Sequence, residues 1–181
     1  EVAVISLGGV VVSQSIRVAG DEIDEQIAEY CRSVHSLLIG ERTAEACKIA
    51  IGSAFPGLQE QTAIVRGRSL QTGLPQQVEL TSSQIREAIS GPTTEIIDNI
   101  KMAIEATPPE LLADVMEQGI YLAGGGALLG GLDKRIEQEA DIPVHIADNP
   151  LEAVVRGTGA CLHNLEAFRE VFVTENATPY G

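Results

Sequence analysis

Basic side chains are scarce in this chain: 12 Lys and Arg stand against 26 Asp and Glu, a formal net charge of −14 in 181 residues. A surface that binds nucleic acid must neutralise phosphates, and this one carries the wrong sign. The same shortage argues against electrostatic docking on anionic lipid. Long apolar runs are missing too. None approaches the roughly 18 residues needed to span a bilayer, and no stretch reads as a signal peptide. The cysteines are few, odd in number and far apart, at Cys31, Cys47 and Cys161. Each falls where a buried helix position is expected, so reduced core thiols in a cytosolic protein are the expectation. His35, His145 and His163 show no pairing at metal-ligand spacing. Gly-x-Ser-x-Gly, His-Glu-x-x-His and Cys-x-x-Cys are all absent, so hydrolase triads and zinc sites find no support. The first residue is Glu1 rather than Met, and Val2 already belongs to a strand pattern, so the chain reads as part of something longer.

What is present is ordinary in bulk and unusual in one place. With 44% hydrophobic and 21% charged residues, the chain suits a soluble globular fold of one large domain or two small ones. The unusual place is Gly119-Ile-Tyr-Leu-Ala-Gly-Gly-Gly-Ala-Leu-Leu-Gly-Gly-Leu132. A strand-type run, Ile120 to Ala123, ends in Gly124, Gly125 and Gly126, and the helix-type spacing Leu128, Leu132, Ile136 follows at once. Three glycines give a backbone that takes positive φ and that no side chain shields. Between a strand and a helix start, such a turn brings bare N–H groups near a ligand. A plain strand-to-helix connection is the competing reading. Leu129 stands where Gly-x-Gly-x-x-Gly needs its third glycine, and no Lys-Ser/Thr follows as a P-loop requires. The turn therefore suggests a nucleotide site of another kind.

The rest of the chain alternates. Val2–Leu7 and Val10–Val18 are β-branched runs about Gly8-Gly9, a hairpin signal. Asp21 reads as the cap of a helix whose inner face is Ile23, Ile27, Tyr30/Cys31, Val34 and Leu37/Leu38, ended by Gly40. Glu22, Asp24 and Glu25 suit its positive end. Thr43 reads as the cap of a second helix reaching Ile51. Residues 41–90, with strands at Thr62–Val65 and Gln77–Leu80, read as a small α+β subdomain inserted in a larger unit. Thr81-x-x-Gln84 is a capping box, Gly91-Pro92 a break, and Ile96/Ile97, Ile100 and Ile104 an inner face ended by Pro108-Pro109. A strand Pro143–Ala147 follows the helix after the glycines. Asn149-Pro150 opens a last helix with Leu151, Val154/Val155, Cys161/Leu162 and Leu165 on one face. Gly157 and Gly159 inside it, each costing up to ~1 kcal/mol against Ala, point to close packing on a backbone or ligand. The tail Asn176–Gly181 reads as frayed. The expected fold class is α/β: a mixed sheet flanked by helices, with the small subdomain inserted.

Segment by segment, the chain resembles a known family. Val2-Ala-Val-Ile-Ser-Leu-Gly-Gly9, Gly20-Asp-Glu-Ile-Asp-Glu25, Leu38-Ile-Gly-Glu-Arg-Thr-Ala-Glu45, Ile51-Gly-Ser-Ala54, Val65-Arg-Gly-Arg68 and Leu122-Ala-Gly-Gly-Gly-Ala-Leu128 are similar to MreB, the bacterial actin-like cell-shape proteins. The likeness runs along essentially the whole chain and corresponds to the second half of such a protein. It implies an actin-like (ribonuclease-H-like) ATPase domain. Residues 1–40 and 91–181 would form the second large domain, and 41–90 the inserted subdomain.

The resemblance also implies a function: an ATP-binding protein that self-associates into filaments on the inner face of the cell membrane and organises the cell-wall elongation machinery. The family's adenosine motif falls on Gly124, Gly125, Gly126, Ala127 and Leu128, and its second adenosine contact on Glu45, Ala46, Cys47 and Lys48. Spacing agrees, since Glu45 and Lys48 are neighbours on one helix face. A carboxylate accepts from ribose hydroxyls, and a lysine can lay its stem along a purine and set its ammonium near a ring nitrogen. A solvated ion pair between Glu45 and Lys48 is the alternative from spacing alone. By the same resemblance the phosphate loops, the hydrolysis-promoting carboxylate and the membrane-binding element belong to a first domain outside this chain. ATP with Mg²⁺ is thus implied for the full-length protein and required by no residue here, and the chain alone is expected to be inactive. A truncated paralogue that binds or regulates filaments without nucleotide is the alternative function. A sugar kinase or chaperone ATPase shares the fold but leaves Ile51–Ala54 and Val65–Arg68 unexplained.

Overall fold

The computed structural model of the chain describes residues 1–57, 59–166 and 168; the tail Asn176–Gly181 lies outside them. Strands β1 (Val2–Ser6) and β2 (Gly9–Gln14) form the expected antiparallel hairpin. Its turn sits one residue earlier than Gly8-Gly9: Ser6 pairs with Gly9, and Leu7 and Gly8 are the central pair, at φ 51° and 81°. A two-residue turn that follows the strand twist needs positive φ at both centres, and Leu7 accepts it with its side chain in solvent. Val11 is left over between the pairs Val4↔Val12 and Ile5↔Val10, a β-bulge.

Helix α1 spans Gly20–His35. Its cap is Ala19, not Asp21. Ala19 offers no acceptor, and instead Glu22 reaches back to take the Ala19 N–H at 2.8 Å. That bond holds the Glu22 carboxyl below the usual carboxylate range. Ile23, Ile27 and Cys31 are buried as expected, whereas Val34 is exposed and the helix stops at Ser36, in the left-handed region at φ 51°. Leu37–Leu38 then forms a short strand, β3, so Gly40 does not end α1. Gly40 is instead the cap of α2 (Glu41–Ile51), one turn earlier than the expected Thr43, and its carbonyl accepts from the Thr43 and Ala44 N–H groups.

Strands β4 (Thr62–Ser69) and β5 (Pro75–Thr81) are longer than their apolar cores suggested. They pair from Thr62↔Thr81 to Arg68↔Pro75, and β3 adds to β4 through Leu37↔Ser69, giving a sheet ordered β3-β4-β5. Val65, Val78 and Leu80 face inward under α1 and α2, while Ile64, Arg66 and Arg68 face out. Thr81 and Gln84 make the reciprocal capping box: the Thr81 hydroxyl accepts the Gln84 N–H at 3.2 Å and the Gln84 side chain accepts the Thr81 N–H at 2.9 Å. Helix α3 (Ser82–Ala88) breaks at Ile89, before Gly91-Pro92, because a proline is tolerated in the first turn of the next helix, α4 (Ser90–Glu105). Ile97 and Ile100 are buried there, with Ile96 and Ile104 packed beside them.

Helix α5 (Pro109–Gln118) leads into β6 (Ile120–Leu122), which runs parallel to β7 (Val144–Ile146), with α6 (Leu132–Ala140) between. Arg135 ties α6 to α4, donating to the Thr93 and Thr94 hydroxyls at 2.6 and 2.7 Å and to Glu139 at 3.1 Å. Lys101 meets Glu139 at 2.7 Å, and these two cations hold the Glu139 carboxyl below its ordinary range. Antiparallel and parallel pairing, helix cover and the small sheet all fit the expected class. The large unit's ladder is interrupted, however: β1-β2 and β6-β7 are separate pairs that share one core, with Val2, Ile120, Leu122 and Val144 packed against it. The fully buried Ile27, Leu37, Leu80, Ile85, Ile89, Ile97 and Ile136 anchor that core. Each such side chain is worth about 1.5–3 kcal/mol over an exposed one.

The last helix overturns an expectation. Helix α7 (Ala153–His163) exposes its apolar side chains, with Val154 at 70% and Val155 at 67%; Leu151, in the turn before it, is exposed as well, and Cys161 is half-buried rather than a core thiol. A Cβ on Gly157 or Gly159 would meet nothing within 4 Å, so no close packing explains them. The helical period marked a face that wants cover, and no other described element supplies it.

Gly67 of β4 is where β3 crosses most tightly. A Cβ there would lie 2.9 Å from Ile39 Cγ2 and 3.1 Å from Leu37 Cγ, and nearer still to the Leu38 carbonyl oxygen. Gly67→Ala is therefore expected to lose about 1–3 kcal/mol, read as a lower urea midpoint. Gly91→Ala, which meets nothing within 4 Å, should keep or raise it. Equal midpoints for the two variants would contradict the crossing.

Candidate functional site

The glycine turn is open. Gly124 leaves β6 at φ 83°, and its N–H is taken by the Pro150 carbonyl at 2.8 Å. A 3-10 turn, Gly125–Leu128, follows. The N–H groups of Gly125 and Gly126 begin it and find no backbone acceptor among the described residues. A Cβ on Gly124 or Gly126 would meet nothing within 4 Å, and one on Gly125 only Leu151 Cδ2 at 3.4 Å. The helix expected directly after the glycines starts later, at Leu132, behind Gly131 in the left-handed region. Leu128 therefore does not share a face with Leu132 and Ile136. It is 56% exposed, while Ala127 and Leu129 point inward.

Helix α2 meets the segment that leaves this turn. Ser53 forms a parallel bridge with Gly130, and the Ala54 N–H donates to the Gly130 carbonyl at 2.7 Å. Gly52, whose N–H caps the Lys48 carbonyl at 2.8 Å, lies against Leu129: a Cβ there would sit 2.9 Å from Leu129 Cδ1. The segments that follow the two nominated stretches, Gly52–Ala54 and Leu129–Gly130, thus meet at one joint. The nominated side chains are differently disposed. Glu45 and Ala46 are exposed, and no side-chain hydrogen bond or ion pair engages Glu45 among the described residues. Cys47 is buried in the core. Burial pushes both its thiol and that of Cys31 up to about 11.

Lys48 is already partnered, and not with Glu45. Its Nζ lies 2.8 Å from Asp24 Oδ2 and donates to the Gly20 carbonyl at 3.0 Å, with the two side chains only 18% and 10% exposed. This pair ties α2 to the first turn of α1. Asp24 Oδ1 is buried without a partner. Sequence reading took Asp24 for an acid suited to the positive end of α1 and missed this contact. The signal was available, because Asp24 lies three residues before Ile27 on a stripe that continues to Cys31. An acid on a buried stripe asks for a cation.

By likeness to solved structures, this helix-covered α/β core with its bare glycine turn has the actin-like fold. The filament protein MamK, solved as a double helical filament, superposes with a TM-score of 0.63 over 75% of this chain and 42% of its own, at 22% identity, a likeness of fold alone. MreB5 of Spiroplasma citri, solved bound to ADP, superposes with a TM-score of 0.87 at 37% identity, covering 93% of this chain and 51% of its own. The sequence profile of the MreB/Mbl protein family matches residues 1–170. The cell shape-determining protein MreB of Escherichia coli K12 is 48% identical over 166 residues, 92% of this chain and 48% of its own length. Mbl of Bacillus subtilis 168 is 42% identical over 166 residues, 92% of this chain and 50% of its own. The chain belongs to the MreB/Mbl family of actin-like cell-shape proteins. It spans about half the length of the curated relatives it matches.

Two outcomes are expected of the joint. Lys48→Met strands the Asp24 charge and should destabilise by about 3–5 kcal/mol, most of it regained in Lys48→Met/Asp24→Leu, as denaturant midpoints would show. Additive losses in the double variant would contradict the pairing. The buried thiols act at high pH. The unfolded chain ionises first, near the ordinary value of 9, so the stability they contribute is intact below that and falls between pH 9 and about 11. Melting curves of a Cys31→Ala/Cys47→Ala variant should decline less steeply over that range than wild type.

Proposed function

We propose that the chain is the adenosine-binding half of an ATP-binding, filament-forming protein that sets cell shape from the inner face of the cell membrane. In this reading residues 1–40 and 91–181 are its second large domain and 41–90 the inserted subdomain. The observation that carries it is the open glycine turn at the α2 joint in a chain of this family. MreB5 has been solved with ADP and with AMPPNP, which favours the same ligand class here.

The residues fit an adenosine. A flat ring needs backbone without side chains, and Gly124 to Gly126 provide it; Ala127 and Leu128 close the turn. The free Glu45 carboxylate accepts from ribose hydroxyls, while Ala46 keeps the approach small. Cys47 contributes only main chain, its side chain being buried. Lys48, its ammonium given to Asp24 and Gly20, offers the apolar stem and fixes the helix that carries Glu45. ATP with Mg²⁺ supplies a cleavable phosphoanhydride when bound by the full-length protein. This chain's part is to bind and orient the nucleoside. Self-association into filaments, the elongation machinery and the membrane complete the proposed setting.

Gly126→Val tests the pocket cleanly, since the added side chain meets no protein atom within 4 Å of its Cβ. Titrating a fluorescent ATP analogue should show wild type binding at least about tenfold tighter than the variant, some 1.4 kcal/mol. Equal affinities at equal melting temperature would remove the nucleotide from this turn.

A further inference from the structure

Where α3, α4 and α6 meet the chain leaving α2 there is a cavity of about 510 Å³. Small-molecule sites run from roughly 300 to 1,000 Å³, so this one suits a single modest ligand. It is separate from the proposed nucleotide site, because neither Glu45–Lys48 nor Gly124–Leu128 lines it. Phe55 and Pro56, just past the Ser53–Gly130 bridge, give it an apolar wall. Arg86 of α3, Ser90 at the start of α4 and Arg135 of α6 line the rest.

Arg86 is the cation there that the protein leaves without a counter-ion. Arg135 shares Glu139 with Lys101, whereas Arg86 makes no ion pair among the described residues. Its Nε is buried with no acceptor, and its Nη2 donates to the Ser53 hydroxyl at a long 3.3 Å. Folded proteins leave few buried donors unpaired, and each one asks for an explanation. A guanidinium stays charged at any working pH and its planar fork matches a carboxylate. The acids nearby limit the ligand's charge. Glu87 and Glu139 line the cavity too. Glu60 also stands close: the Ser83 N–H and hydroxyl, with help from Arg86, hold its carboxyl below the ordinary range. One negative charge answers one unpaired arginine, and a second would meet these carboxylates.

We infer that the cavity between α3, α4 and α6 binds a small apolar monocarboxylate, with its acid group on Arg86 and its body against Phe55 and Pro56. Ser90, exposed at the start of α4, adds a hydroxyl to the same lining. The site also reaches the joint. Arg86 holds Ser53, whose hydroxyl donates to the Phe55 carbonyl at 3.1 Å and whose main chain bridges Gly130. A filled cavity therefore braces that joint and should raise the melting temperature.

Titrating the isotope-labelled chain with phenylacetate, followed by amide chemical shifts, tests it. Saturable shifts centred on Phe55, Arg86 and Ser90 are expected, with a dissociation constant on the order of 1 mM or tighter. Arg86→Gln should weaken binding at least about tenfold, and Arg86→Lys, which keeps the charge without the fork, should fall between. Ser90→Phe leaves Arg86 in place and fills the cavity from an exposed position, so it should weaken binding as much. Should Arg86→Gln fold poorly for want of its Ser53 bond, Ser90→Phe decides. The neutral phenylacetamide should bind at least about tenfold more weakly than the acid, and benzyl phosphate, with its second charge, more weakly too. Equal affinity for the amide, or for either Arg86→Gln or Ser90→Phe at wild-type melting temperature, overturns the assignment. So does the absence of saturable shifts, or their centring on the glycine turn. Tighter binding of benzyl phosphate would make this a phosphate site and overturn the monocarboxylate.

Discussion

Asp24 and Lys48 meet at 2.8 Å almost out of water, and the crossing of α1 and α2 depends on them. Either charge alone in that place would cost several kcal/mol, whereas the pair is nearly neutral to stability and specific in geometry. The ammonium also takes the Gly20 carbonyl, so the start of α1 and the middle of α2 are fixed to one point. From that point α2 runs to Gly52 and Ser53, where it is stitched to the strand-to-helix segment after the glycines. The joint between α2 and the glycine turn is therefore assembled from parts far apart in sequence through one buried charge pair and one backbone bridge.

Local patterns carried much of this architecture. Thr81 and Gln84 announced their helix start by residue type and spacing, and the hairpin of β1 and β2 was written in β-branched runs about a glycine pair. The misses share a cause. Asp21 and Thr43 were nominated as caps for their side-chain oxygens, but Glu22 reaching back and a glycine ahead of Glu41 did the work. Propensity proposes a cap, and the neighbouring chain path decides it. The glycine turn was legible as an open bend after a strand, yet its 3-10 form, and the outward turn of Leu128, were not, because a three-residue period is invisible over a single turn. Lys48 was legible as a residue of consequence, but not its partner, since 24 residues separate it from Asp24.

Membership of the MreB/Mbl family accounts for the segments that composition left unexplained. The separate ladders β1-β2 and β6-β7 share a core without sharing hydrogen bonds. The glycine turn of this actin-like fold keeps its backbone open instead of packed. A net charge of −14 gives copies of the chain a mutual repulsion that keeps chance encounters brief.

That repulsion bears on the uncovered helix α7. Leu151, Val154 and Val155 present a greasy ridge to solvent, and ridges of this sort coalesce when molecules linger at contact. Mutual charge keeps copies apart over roughly 10 Å at 0.1 M salt and over only about 3 Å at 1 M. Rising ionic strength thus shortens the reach of that repulsion and licenses indiscriminate sticking along α7.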